Sequence, residues 1–213
     1  MSLKLIVFDL DGTLIDSIDA HAEGWSFAIT HLGLAHVGRE ELVDLIGLPG
    51  SEIVKEVLGE AGLRQYPSIR WLKDRHFLNQ VAVGRVRLFP DVMPCLNYLR
   101  ERGYALGLAT STPNYILVPL LERLELLDYF DYTVGGDEVR RGKPNPDIFI
   151  RVVEKAGVRP SDTAVVGDTV YDTVPARSAG MFSILVARKR EVRARNFDAD
   201  VVIKNLLDLR LLL

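Results

Sequence analysis

The feature that most restricts the fold of this chain is a series of short, uninterrupted apolar runs separated by helical patterns, several of them ending on an acid or a hydroxyl. The first is residues 4–8 (Lys4-Leu5-Ile6-Val7-Phe8), and similar runs recur at 104–109, 132–134, 163–166 and 182–186, with a weaker one at 200–203. Strands that are continuously apolar, rather than alternating, are buried on both faces, which is the condition of a parallel sheet between layers of helices. Helical patterns at 93–102, 115–127 and 147–156 fall between the runs, each opening just after a proline, the first and last closing on Gly103 and Gly157. Strand and helix in alternation predict an α/β fold, a doubly wound (Rossmann-like) parallel sheet.

One stretch breaks the alternation. Residues 17–83 show no strand pattern and carry helical patterns at 18–32, 40–46, 52–61 and 69–81. The organisation expected is therefore an α/β core made of residues 1–15 and 86–213, with residues 16–85 inserted as a small all-helical cap domain. Residues 13–16 and 84–90 would be its tethers.

Composition removes several classes of function. A chain of 213 residues suits one domain with a modest insertion. Its 26 Lys and Arg against 29 Asp and Glu leave a net charge of -3, which argues against a nucleic-acid partner. Cys95 is the single cysteine, so neither an internal disulfide nor a cysteine-built metal site can form. No apolar run reaches the roughly 18 residues of a membrane span, and the N-terminus lacks a signal-peptide layout. A cytoplasmic protein without a membrane partner, a monomer or weak homodimer, is the expectation.

Ligands of open α/β sheets collect at the carboxyl ends of the strands. Three of the apolar runs are followed there by polar groups: Asp9-Leu10-Asp11-Gly12-Thr13, Thr110-Ser111-Thr112, and Gly167-Asp168-Thr169 with Asp172 beyond. Asp9 and Asp11, two apart, share a side while the chain is extended, and Gly12 allows the turn that follows. Taken singly, an Asp after a strand is commonly a helix cap or turn residue; that reading does not explain acids converging from several strands. Asp9, Asp11 and Asp168 would repel one another unless a hard cation joined them, and ligands that are all oxygen suit Mg²⁺. Lys143, in a loop just before a helix, can pair with phosphate oxygens as a point charge. The segment 136–143 fails the Walker pattern, because its glycine spacing is wrong and Pro144 stands where Ser or Thr is required. No Gly-x-Gly-x-x-Gly follows a strand, so a dinucleotide site has no support.

These residues resemble the motifs of the haloacid dehalogenase superfamily of phosphohydrolases. DxDGT stands as Asp9 to Thr13, the strand ending in Thr as Thr110, the motif lysine as Lys143 in GKPNPDIF, and GDxxxD as Gly167 to Asp172. The insert after the first motif is similar to the helical cap of the phosphoglycolate phosphatase and β-phosphoglucomutase group. The resemblance implies a Mg²⁺-dependent phosphatase acting on a small phosphorylated metabolite. Asp9 would be the nucleophile, forming an aspartyl-phosphate, and Asp11 the general acid and base. Asp9, the Asp11 carbonyl and Asp168 would hold the metal. Thr110, the Ser111 amide and Lys143 would hold the phosphoryl oxygens, with Asp172 orienting Lys143 or a metal-bound water.

In the cap, the resemblance points to His21 and Lys73 as substrate-binding residues, set against the plainer readings of a half-exposed helix residue and a solvated lysine. Trp25, Phe27 and Ile29 are expected in the cap core. His31, His36 and His76 are expected at the surface, and Cys95 as a small buried helix residue. The loop Gly47-Leu48-Pro49-Gly50-Ser51 carries no Arg, unlike the mutase, which favours a phosphatase over the alternative of a β-phosphoglucomutase-type phosphotransferase. A two-component receiver is a rival from another class, opposed by the helical insert and by Asp11. Four helices on two tethers suggest a lid that selects the organic part of the substrate.

Overall fold

The computed structural model describes residues 3–188 and 198–213. In chain order, the elements up to the second half of the core are strands β1 (Leu5–Phe8) and β2 (Ile15–Asp16), helices α1 (Ile18–His31), α2 (Arg39–Val43), α3 (Gly50–Gly62) and α4 (Tyr66–Ala82), then strand β3 (Arg87–Leu88). They are followed by α5 (Val92–Glu101), β4 (Ala105–Ala109), α6 (Asn114–Arg123), β5 (Tyr132–Val134), α7 (Asp147–Ala156), β6 (Thr163–Gly167), α8 (Val170–Ser178), β7 (Phe182–Val186) and β8 (Val201–Ile203). The chain divides into two compact units, one of Met1–Ile15 with Leu88–Leu213, the other Asp16–Arg87.

The first unit is built on a six-stranded sheet in the order β5-β4-β1-β6-β7-β8, parallel at every pairing. β1 lies inside it, with Leu5 opposite Ala105 on one side and Thr163 on the other. The carboxyl ends of β4, β1 and β6 are therefore neighbours, and whatever follows those strands is brought to one rim. All four residues of β1 are fully buried, as continuous apolarity requires of a strand covered on both faces. Leu5, Val7 and Val165 pack with Ile148, Phe149 and Val152 of α7, which ends on Gly157 in the left-handed conformation.

The second unit is helical and has its own core, in which Ala22, Trp25, Ala28 and Ile29 of α1 meet Leu42, Ile53, Val54 and Ile69. Phe27 does not belong to this core, contrary to the sequence expectation. It is exposed and stacks on His31 and His76 instead, being two positions from Trp25 and so on another face of the helix.

Other differences have local causes. The pattern read as one helix over 115–127 stops at Arg123, and Glu125 then takes a positive φ of 57°, which no helix continues through. α3 is interrupted at Gly59, where φ is 69°. α8 was not anticipated. Its sequence is mixed in polarity and holds Pro175, so periodicity hides it; the Thr169–Asp172 capping box starts it. Short strands β2 and β3, which pair with each other, fall in the segments read as tethers. No described helix is long and apolar enough to cross a membrane.

Candidate active site

Asp9 follows the last residue of β1, and its amide donates to the Val166 carbonyl of β6 at 2.9 Å, so its carboxylate enters the rim at the middle of the sheet. Gly12 turns the chain with a φ of 88°, a conformation that side-chain-bearing residues rarely adopt. That turn presents Thr13, whose hydroxyl donates to Asp168 Oδ1 at 3.0 Å.

Lys143 arrives from the loop before α7 and is almost wholly buried at 1% exposure. Its ammonium donates to Asp9 Oδ1 at 2.6 Å, to Asp172 Oδ1 at 2.7 Å and to the Ala109 carbonyl at 3.3 Å, which uses its three protons. The Phe149 ring closes the remaining side, its centre 5.2 Å away. The second oxygen of Asp172 accepts from the Thr169 amide at 3.1 Å and the Thr169 hydroxyl at 2.8 Å. Any side chain at Gly167 would overlap Asp172, so the glycine of this segment is needed for space.

Asp11 turns toward the strand end of β4. Its Oδ2 accepts from the Thr112 hydroxyl at 2.9 Å and, more weakly, from the Thr110 hydroxyl at 3.4 Å. The Thr112 amide donates to Thr110 Oγ1 at 3.1 Å, fixing the two hydroxyls relative to each other. Ser111 lies between them, its backbone backed closely by Gly136, whose amide donates to the Thr112 carbonyl at 3.0 Å.

The electrostatics of the rim are unbalanced toward negative charge. Burial, with Asp172, Asp168 and Asp11 nearby, pushes the Asp9 carboxyl well above the usual carboxylate range, although Lys143 pulls the other way. Lys143 is held above the ordinary lysine value, because Asp172 and Asp9 outweigh the burial that alone would lower it. One oxygen from each of Asp9, Asp168 and Asp172 lies within 4.8 Å of the others. Asp172 is the member of this group held by Lys143 and Thr169, so Asp9 and Asp168 are the carboxylates that suit a hard divalent cation, and such a cation would relieve the charge that raises Asp9.

The structure thus brings Asp9, Asp11, Thr110, Ser111, Lys143, Asp168 and Asp172 to one rim. His21 and Lys73 are in the helical unit, and both are buried, against the plainer readings of an exposed helix and a solvated face. His21 stacks on Phe77 with ring centres 3.9 Å apart, and Lys73 stands over Phe77 and Trp25 while its ammonium donates to Asp74 at 3.2 Å. Asp74 also pairs with Arg70, at 2.7 Å. Cys95 is buried, as expected, and burial pushes its thiol up to about 12, which leaves it unreactive. Sequence reasoning missed Thr13 and Thr112 as site residues, although both stood inside noted segments.

A parallel sheet with acids, hydroxyls and one buried lysine on its central rim defines an α/β core with a polar site at its strand ends, and comparison with known proteins specifies which class it belongs to. A family model described as haloacid dehalogenase-like hydrolase matches residues 6–186, and the chain belongs to this family. It is 34% identical over 203 residues to the phosphoglycolate phosphatase of Shigella boydii serotype 4, a match covering 85% of this chain and 80% of that protein. The HAD phosphatase of Thermococcus onnurineus superposes with a TM-score of 0.71 at 26% identity, over 99% of this chain and 97% of that one. CbbY of Rhodobacter sphaeroides, solved in complex with phosphate, has a TM-score of 0.84 at 24% identity, over 97% and 96%, and shares the fold.

Proposed function

We propose that this chain is a Mg²⁺-dependent phosphatase that hydrolyses a small phosphomonoester, of the phosphoglycolate or sugar-phosphate type, through an aspartyl-phosphate on Asp9. The observation that carries this reading is the buried Asp9–Lys143 pair at 2.6 Å, set among further carboxylates that only an added cation would balance. The likeness to a phosphoglycolate phosphatase supports hydrolysis over phosphotransfer.

Asp9, Asp168 and the Asp11 carbonyl are the residues that would hold Mg²⁺. When bound, the ion supplies the positive charge that keeps Asp9 ionised and offsets the phosphoryl oxygens. A carboxylate oxygen of Asp9 attacks phosphorus while the bond to the ester oxygen breaks, and Asp11 gives that oxygen its proton. In the second half Asp11 takes a proton from water, whose oxygen attacks phosphorus and frees Asp9. Thr110, the Ser111 amide and Lys143, which gives up its long 3.3 Å bond to the Ala109 carbonyl when substrate binds, hold the other phosphoryl oxygens, which is electrostatic and positional catalysis. Asp172, with Lys143 on one oxygen and Thr169 on the other, keeps the ammonium in place. Selection of the organic group is assigned to His21 and Lys73 of the helical unit.

The test is phosphate release from a panel of phosphorylated metabolites, 2-phosphoglycolate and hexose phosphates among them, with p-nitrophenyl phosphate as a neutral reporter. Turnover should stop with EDTA and return with Mg²⁺. Interconversion of hexose phosphates without net phosphate release would install the mutase reading. Stable phosphorylation of Asp9 with no turnover would install the receiver.

A further inference from the structure

We propose that Arg188 is a positioning residue for Asp168, acting through Thr13; this rests on the reading of Asp168 as a Mg²⁺ ligand. Arg188 comes just after β7 and belongs to none of the motif segments. Its side chain is largely buried, at 12% exposure, and is engaged along both edges and one face. Nη1 donates to both oxygens of Asp91, at 2.9 and 2.7 Å. Nε and Nη2 donate to the Thr13 carbonyl, at 3.2 and 2.7 Å. The guanidinium carbon lies 4.1 Å from the centre of the Phe89 ring.

The two ends of this arrangement are anchored differently. Asp91 Oδ2 also accepts from the Leu206 amide at 2.7 Å, so the far end is tied to backbone. At the near end, the peptide of Thr13 is gripped by two donors, and the Thr13 hydroxyl donates to Asp168 Oδ1. The Phe89 amide donates to the Leu14 carbonyl at 3.0 Å, binding the same turn from its next residue. A continuous line of hydrogen bonds therefore runs from Leu206 through Asp91, Arg188 and Thr13 to Asp168.

A simple ion pair would need only a cation near Asp91. The geometry here needs a planar fork, one edge for a carbonyl and one corner for a carboxylate, which a lysine ammonium cannot supply. Mg²⁺ tolerates little departure from octahedral geometry, and residues that orient a ligand from behind commonly change metal affinity by about 10–100-fold. Freed from Arg188, the Thr13 turn would let Asp168 rotate away from its place on the rim.

The experiment measures Mg²⁺ binding to the full chain by isothermal titration calorimetry, with the Mg²⁺ dependence of turnover recorded alongside. The proteins are the wild type, Asp168→Ala, Arg188→Lys, Thr13→Val and the double variant, each checked for folding by circular dichroism. Arg188→Lys should weaken Mg²⁺ about tenfold, with KM for substrate at saturating Mg²⁺ nearly unchanged. Thr13→Val should do at least as much, and the double variant no more than Thr13→Val alone, because both act along one line. Unchanged affinity in Arg188→Lys, or additive losses in the double variant, overturns the proposal while leaving the metal reading intact. A wild type that binds no Mg²⁺, or Asp168→Ala that binds it as tightly, overturns the metal reading and this inference together. If Arg188→Lys does not fold, Asp91→Asn serves in its place, since it frees the far end of the guanidinium. A smaller loss of Mg²⁺ affinity is expected there, and none at all counts against the proposal.

Discussion

The two units hold their buried charges in opposite ways. In the α/β unit three pairs at the rim join distant parts of the chain: Lys143 to Asp9 across 134 residues, Thr112 to Asp11 across 101 and Thr13 to Asp168 across 155. Such pairs exist only because parallel strands deliver their ends to one line. In the helical unit the buried charged groups Lys73 and Asp74 are paired locally, while the longer-range Arg85–Glu23 pair lies at the surface. Lys73 and Asp74 are adjacent and Arg70 is one turn before, all on α4, with the faces of Trp25 and Phe77 as their surroundings. The rim is therefore assembled by strand ends of the sheet, whereas the helical cluster is assembled within one helix and the rings beside it. Common phosphoryl chemistry is expected from the first and substrate choice from the second.

The severest test removes the nucleophile. Asp9→Asn should abolish turnover on every phosphomonoester, and activity above a few per cent, free of deamidation, would end the assignment. The same change should stabilise the metal-free protein at neutral pH. The Asp9 carboxyl is raised by burial and by its neighbours, so the folded state favours the protonated form. Its contribution is present below the ordinary carboxylate value and is lost as pH rises through the raised one. Asn carries no such loss, and the melting temperature should rise by roughly 2–4 °C for each kcal/mol relieved. A flat pH profile in the wild type without metal would refute this part.

Lys73→Met tests the other side of the comparison, keeping the apolar stem against Trp25 and Phe77 while removing the charge. On the preferred substrate kcat/KM should fall by roughly 10-fold or more, equivalent to about 1.4 kcal/mol, with p-nitrophenyl phosphate little affected. Equal losses on both would make Lys73 a structural residue of α4 and erase the division of labour.

Thr112→Val should slow alkyl phosphates several-fold, by the roughly 1 kcal/mol of one hydrogen bond to Asp11 in its protonated, acid form. The effect on p-nitrophenyl phosphate should be smaller, since its leaving group needs less help from Asp11. Thr112→Ser, which restores the hydroxyl, should restore the rate; failure to do so would point to packing rather than orientation of Asp11.

The smallest effect is one of stability. Burial would raise the Glu138 carboxyl, but hydrogen bonds from Lys155, Asn114 and the Gly135 amide outweigh it and hold it below its ordinary 4.5. A depressed folded value gives stability that is present above the unfolded value and lost as pH falls through the folded one. Thermal melts on the acid side of 4.5 should therefore show a loss that Glu138→Gln lacks, under about 1 kcal/mol for a half-buried group that water partly screens. Because Glu138 braces the loop beside Ser111 and Thr112, an effect as large as that of Asp9→Asn would blur the contrast between rim and surroundings.

How much of this could be read in advance follows from the range of the forces involved. Continuous apolarity in residues 5–8 and 163–166 reports burial on both faces, so the parallel sheet was legible residue by residue. The acids after those strands were legible for the same reason, since a strand end has a known place on a sheet. Where local pattern and tertiary demand diverge, the sequence is silent: α8 is neither apolar nor periodic and begins because Thr169 and Asp172 cap it. Lys73 and His21 look like ordinary helix residues, yet they are buried because Phe77 and Trp25 fold over them. Arg188 has no spacing that marks it, because its partners Asp91 and Thr13 lie 97 and 175 residues away. What the chain determined by itself was the sheet and the identity of the groups at its rim, through burial patterns that are local. Which hydroxyl meets which carboxylate, and which arginine braces the turn behind them, was decided only when distant segments packed, because a hydrogen bond depends on geometry of a few tenths of an ångström that no local pattern encodes.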